Sequence, residues 1–176
     1  VSEQRTNLTN GTTYVSEANS ARTAIDAPRT ICVVVDMTTT SQRFIVHHGS
    51  STTTYGYTID KRGSAVRCRE NATTRVSVTV PGLTGSARKV LVHWAQRNYN
   101  GSVVSEVAVF NFVSLEWAYG TASHAAFATT PTHTLTIGSS TGGLSAYDLG
   151  ITAIHAVSIG RRFHSTTESS IDYVAV

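Results

Sequence analysis

The feature that most constrains this chain is the recurrence of short runs in which β-branched residues alternate with polar ones, each closed by a turn signal. Residues 75–80 (RVSVTV) show it most cleanly: Val76, Val78 and Val80 share one face, and Pro81-Gly82 ends the run. A side-chain period of two marks a strand with one buried face. Residues 30–37 (TICVVVDM) are instead almost continuously apolar, as expected of a strand covered on both faces. Residues 43–48 (RFIVHH), 54–60 (TYGYTID), 65–69 (AVRCR), 89–96 (KVLVHWAQ), 103–113, 134–137 (TLTI) and 151–159 (ITAIHAVSI) continue the series. Lys61-Arg62-Gly63 and Asn100-Gly101 are hairpin turn signals. Residues 14–15 and 21–25 are expected to add short edge strands, and residues 117–127 read as irregular.

Composition supports an all-β chain. Ser and Thr make up 47 of 176 residues, and the apolar residues are dominated by Val, Ile and Ala. Branched side chains suit a pleated, half-buried surface, and small hydroxyl residues suit its exposed face. At 40% hydrophobic the chain has enough apolar material for a core without disulfide staples. Cys32 and Cys68 lie in separate predicted strands, where one disulfide and two buried thiols are both open readings. The one helix signal is the capping box Ser165-Thr166-Thr167-Glu168, followed by Ile171, Val174 and Ala175. The expected organisation is a polar N-terminal arm over residues 1–28 and a β-sandwich domain over 29–176 that ends in a short helix.

Charge excludes several function classes. The net charge is +3, but only 14% of residues are charged. The densest basic cluster, Lys61, Arg62, Arg67 and Arg69, is flanked by Asp60 and Glu70, so a dedicated nucleic-acid face is not expected. No window approaches the roughly 20 apolar residues that cross a bilayer, so no membrane insertion is expected. Val1 opens a polar stretch, which does not read as a removable signal peptide. Four N-x-S/T sequons, at Asn7, Asn10, Asn71 and Asn100, carry little weight in so Ser/Thr-rich a chain.

The second half carries an ordered set of motifs. A strand bearing a Trp stands at Val90-Leu91-Val92-His93-Trp94-Ala95, a turn follows at residues 98–101, and a second strand runs over 103–112. Leu135-Thr136-Ile137-Gly138 precedes Gly142-Gly143, and a closing strand from Gly150 leads to Arg162 and the capped segment ending in Glu168. This order resembles the concanavalin A-like jelly-roll family, closest to its laminin G-like branch, over residues 30–174. The resemblance implies an all-β concanavalin A-like jelly-roll β-sandwich. It also implies a place among lectins, adhesion modules, glycan-binding accessory domains, virion surface proteins and some glycosidases.

The residues depart from the catalytic and metal-binding branches. A glycosidase needs two carboxylates on one strand. Residues 105–111 carry Glu106 and Asn111, and Glu116 falls outside that strand. A legume-type metal site would need an Asp and a His after Glu106 and Asn111, and neither follows. Calcium of the laminin G-like kind would need loop oxygens. Asp36, Asp60 and Asp148 are the candidates, although lone loop Asp residues are ordinarily turn formers. His47 and His48 are adjacent, so on a strand they face opposite ways and cannot share an ion. His93 and His155 sit inside apolar strands and read as hydrogen-bonded strand residues. No G-x-S-x-G elbow supports a Ser-His-Asp triad, and the Gly-rich residues 138–143 lack the Lys of a phosphate loop.

The functional lead is aromatic and polar residues in connecting segments: Tyr99 with Asn100, Trp117 with Tyr119, and Tyr147 with Asp148. Sugar faces stack on aromatic rings while polar side chains hydrogen-bond hydroxyls. Equally, Trp117 and Tyr119 can cover the sandwich edge. The sequence therefore points to a non-catalytic binding or adhesion module, glycan-recognising and accessory to a larger secreted or virion assembly. Its partner would be a glycan or protein surface, at an extracellular or virion-surface location, with no required cofactor and calcium left open. The rival is a structural subunit of a virus particle, a phage tail or capsid decoration protein, held by homo-oligomer or capsid and tail contacts. A glycoside hydrolase is the weaker third.

Overall fold

A computed structural model describes residues 6–7, 15–17, 29–37, 43–49, 55–70, 73–83, 88–99, 102–125, 135–137 and 151–160. In chain order its strands are β1 (Thr6–Asn7), β2 (Val15–Glu17), β3 (Arg29–Met37), β4 (Arg43–Gly49), β5 (Tyr55–Arg62), β6 (Ala65–Glu70), β7 (Thr73–Thr79), β8 (Arg88–Tyr99), β9 (Ser102–Asn111), β10 (Glu116–Ala125), β11 (Leu135–Ile137) and β12 (Ile151–Gly160). They form two six-stranded sheets, ordered β1-β12-β3-β8-β9-β10 and β2-β11-β4-β5-β6-β7. Every pairing is antiparallel. This is the all-β jelly-roll sandwich expected from the sequence, and no helix occurs among the described residues. The capped segment 165–168 and the edge segment 21–25 lie outside the described residues.

The core is built by the alternation. Val76 and Val78 of β7 face inward with Val66 and Cys68 of β6, and Ile59, Val46 and Ile137 continue the layer. The facing layer is Ile31, Val33 and Val35 of β3, Val90, Val92 and Trp94 of β8, and Val107 and Val109 of β9. Side chains of period two from two stacked sheets interdigitate in this way about 10 Å apart. The other face of the first sheet is also closed at its centre: Cys32, Leu91, His93, Ala95 and Ala108 are buried. That matches the continuous apolar run of residues 30–37. Cys32 and Cys68 are buried thiols, one in each sheet, with no disulfide between them.

Two boundaries differ from the sequence reading. Residues 117–127 were expected to be irregular, but β10 is a ten-residue strand paired throughout with β9. Its inward positions are Ala118, Gly120 and Ala122, too small and too weakly apolar to register as a period of two. They are small because β10 lies close over β7: a Cβ added at Gly120 would stand 3.2 Å from the Ser77 carbonyl oxygen and 3.3 Å from Val76 Cγ2. The second difference is at residues 112–113, which leave β9 and enter the turn joining it to β10.

Candidate functional site

The β9–β10 hairpin is set by Asn111. Its side chain is wholly buried and ties the turn to the segment at Pro81. Nδ2 donates to the Pro81 carbonyl at 2.9 Å, and Oδ1 accepts from the Val113 N–H at 3.0 Å. The Asn111 carbonyl accepts from the Leu115 N–H at 2.8 Å, and the Phe112 N–H donates to the Lys89 carbonyl at 3.1 Å. An Asn that bonds its own backbone two residues on makes the chain reverse without glycine. The cost falls on Leu115, which is held at a φ of 58°, a left-handed conformation that side chains other than Gly and Asn seldom adopt.

The turn places four rings on one side of the hairpin. Phe110 and Phe112 are two apart on β9 and its exit, Trp117 and Tyr119 are two apart on β10, and Phe110 is paired in register with Trp117. Phe110 and Trp117 centroids are 5.0 Å apart, and Phe112 meets Phe110 edge to face at 5.0 Å. Trp117 and Tyr119 are stacked at 5.7 Å with planes 19° apart. Centroid separations and offsets of this kind are the favoured ones for aromatic pairs. Phe110 and Trp117 are half-buried, whereas Tyr119 is 53% exposed. One face of Tyr119 lies against Trp117, which leaves the opposite face looking along β10 towards Thr121. Thr121 is exposed and stands in register with Glu106 of β9, and exposed Ser123 follows two residues on. The result is an open aromatic ladder ending in a polar rim, on the strand that terminates the sheet order.

The residues singled out from sequence are distributed as follows. Trp117 and Tyr119 come together, on a strand rather than in an irregular segment. Tyr99 ends β8 in register with Ser102, at the far end of β9 from Phe110, a separation of about 26 Å along the strand. Asn100, Tyr147 and Asp148 lie outside the described residues. Phe110 and Phe112 were missed, because an alternating apolar strand reads as core. Their signal was the turn after Asn111, which puts both on the face of Trp117.

Asp60, Asp36, His155 and His124 are engaged elsewhere. Asp60 stands on β5, not in a loop, and is wholly buried. It accepts two hydrogen bonds from Arg67, at 2.9 and 2.6 Å, and one from Arg69 at 3.0 Å. Asp36 stands on β3 and is bonded to His155 Nε2 at 2.9 Å. Neither is the loop oxygen donor considered for calcium, because strand pairing places both in the sheets. Among the described residues no group of three His, Cys, Asp or Glu side chains converges on a metal position. Ser105 and His124 form a 2.8 Å hydrogen bond, and His124 Nδ1 lies 2.9 Å from the Ala125 carbonyl oxygen. A carbonyl only accepts, so Nδ1 carries a proton, and in the neutral ring Nε2 accepts from the Ser105 hydroxyl. Ser105 is wholly buried, and the bond ties the ends of β9 and β10 together.

No protein-family model matches the sequence, and no curated protein matches it. Solved structures do. A native heptameric SAP-like pentraxin from Limulus polyphemus superposes with a TM-score of 0.58 at 14% identity, covering 84% of this chain and 69% of that one. The LG1-3 region of the laminin alpha2 chain matches at 0.56 with 12% identity, over 90% of this chain and 32% of that one. Domains LG4-5 of the mouse laminin alpha1 chain match at 0.53 with 13% identity, over 92% of this chain and 43% of that one. The fold is thus the concanavalin A-like jelly roll, with laminin G-like domains among its structural neighbours.

Proposed function

We propose that the chain is a non-catalytic glycan-binding module that works outside the cell, and that the Phe112–Phe110–Trp117–Tyr119 ladder is its platform. The observation that carries this reading is the open face of Tyr119, stacked on Trp117 and followed along β10 by Thr121 with Glu106 in register. The apolar face of a sugar ring would lie on Tyr119, and Thr121 and Glu106 would hydrogen-bond its hydroxyls. Strands β9 and β10 hold Trp117, Tyr119, Thr121 and Glu106, so little ordering cost opposes binding. Calcium has no part in such a contact.

The test is a broad glycan array with the purified chain, with and without calcium, repeated for Tyr119→Ala and Trp117→Ala. Binding should survive removal of calcium and weaken about tenfold or more on loss of either ring, the scale of one aromatic contact. Melting should stay nearly unchanged for Tyr119→Ala, whose side chain is largely in water. A blank array on a folded sample would sink the proposal. The rival reading, a structural subunit of a larger particle, draws on the position of β10 at the end of its sheet, where strand addition can extend the sheet. It calls for self-association of the purified chain, read by analytical ultracentrifugation.

A further inference from the structure

Each sheet of the sandwich has two ends, and three of the four are poorly suited to take up a further strand. Among the described residues β1 and β2 are two and three residues long. The pairing of β7 with β6 is broken by a register shift at Arg75, between the pairs Cys68–Val76 and Arg69–Thr74. Shortness, a bulge and a charge are the usual protections of a sheet edge. Strand β10 has none of them. Its ten residues, EWAYGTASHA, keep unbroken register with β9 and contain no Lys, Arg or Pro, and their one carboxylate, Glu116, stands at the very start. Among the described residues β9 is its one neighbour in the sheet, so its second row of backbone N–H and C=O groups points away from the sheet.

The side chains of β10 divide by size in a way that suits a second copy of the same strand. On the outer face Trp117 and Tyr119 fill the first half, and Thr121, Ser123 and Ala125 fill the second. On the inner face Ala118, Gly120 and Ala122 are all small. Opposed residues of an antiparallel pair share a face, and a two-fold axis sets the start of one strand against the end of the other. Two copies of β10 related by an axis at Gly120 or at Thr121 overlap over nine residues, 116–124 or 117–125. In both registers each large ring lies beside Thr121, Ser123 or Ala125 of the second copy, and never directly opposite another ring.

We propose that two copies of this chain pair antiparallel through β10, joining two six-stranded sheets into one around a two-fold axis. The structural-subunit reading leaves the number of copies open. Pairing through the same edge in both copies uses that edge up, so the assembly closes at two. The pairing does not rest on the glycan reading, but one consequence does. The open face of each Tyr119 ring is turned towards Thr121, so the two faces look at one another across the axis, and a glycan lying over it meets both.

The experiment is sedimentation velocity of the full chain over a concentration series, beside a variant carrying Thr121→Lys and Ser123→Lys. Both positions are exposed, so circular dichroism should show the fold retained, while the added charges of the two copies meet at the axis. Wild type should pass from monomer to dimer with rising concentration, and the double substitution should weaken the dimer about tenfold or more. Orientation is read with a short bis-maleimide cross-linker on Thr121→Cys and on Ser114→Cys, since Cys32 and Cys68 are buried. Position 121 stands at the axis and should link. Copies of position 114 stand about 30 Å or more apart and should not. A wild type that stays monomeric overturns the proposal, and so does a dimer that the double substitution leaves intact. Growth past the dimer, or linkage through Ser114→Cys, overturns the two-fold pairing equally.

Discussion

Asp60 surrenders its water to two guanidinium groups, one of them bound through the Nε and a terminal nitrogen in a two-point fork. Its side chain is wholly buried, while those of Arg67 and Arg69 retain 14% and 13% of their exposure. Removing one partner of such a group leaves the remainder uncompensated, so Asp60→Ala should lower stability by about 3–5 kcal/mol. Urea unfolding measures this, and a loss under about 1 kcal/mol would mean that the cluster is hydrated in solution. Asn111→Ala removes two side-chain hydrogen bonds from a buried site, at a cost of about 2–4 kcal/mol. Its second readout is local: faster amide exchange at Val113, whose N–H loses its acceptor. Leu115→Gly works in the opposite direction, gaining about 1 kcal/mol by relieving the left-handed strain.

At the level of strands, what the sequence disclosed depended on side-chain size. Strand β7 was legible because Val76 and Val78 point inward and polar residues point out. Strand β10 has the same geometry, yet its inward residues Ala118, Gly120 and Ala122 carry no hydrophobic signal, and its large residues lie on the outer face. The cause is the close approach of β7, which no local pattern encodes. The ladder of rings was half legible for the same reason: Trp117 and Tyr119 stood out, while Phe110 and Phe112 passed for core. Gly120→Val tests the approach. Its side chain would press on the Ser77 carbonyl and on Val76 and Val78, so the two sheets must separate at this edge. The expected loss is about 1–3 kcal/mol, the range for overpacking a well-filled site. A neutral Gly120→Val would show that β10 can move away from β7 at this edge without cost.

Across the whole molecule, sheet order and chain order disagree at one side and agree at the other. Strands β4 to β7 and β8 to β10 are consecutive hairpins, which is why their turns could be read from Gly63 and Asn100-Gly101. Strands β12 and β11 come from late in the chain but lie next to β3 and β4, and β1 and β2 pair outside them. Pairing at such separation leaves no local trace in sequence, and only the ordered resemblance to a known jelly roll anticipated it. Contacts this distant are slow to form, so refolding should take milliseconds to seconds, as for other two-sheet β-proteins. Stopped-flow Trp94 fluorescence would follow it, and a microsecond phase carrying the full amplitude would contradict the topology.

The insertion of β12 between β1 and β3 has a consequence during synthesis. Strand β3 is made early and finds β8 soon after, but its second edge stays open until residue 160 has left the ribosome. For that interval the nascent chain displays TICVVVDM, an uncharged β-branched run apart from Asp36, with a vacant hydrogen-bonding edge. Such an edge is a template for wrong partners. Translation rate and chaperone supply, more than the stability of the finished sandwich, should therefore govern how much soluble protein a cell obtains.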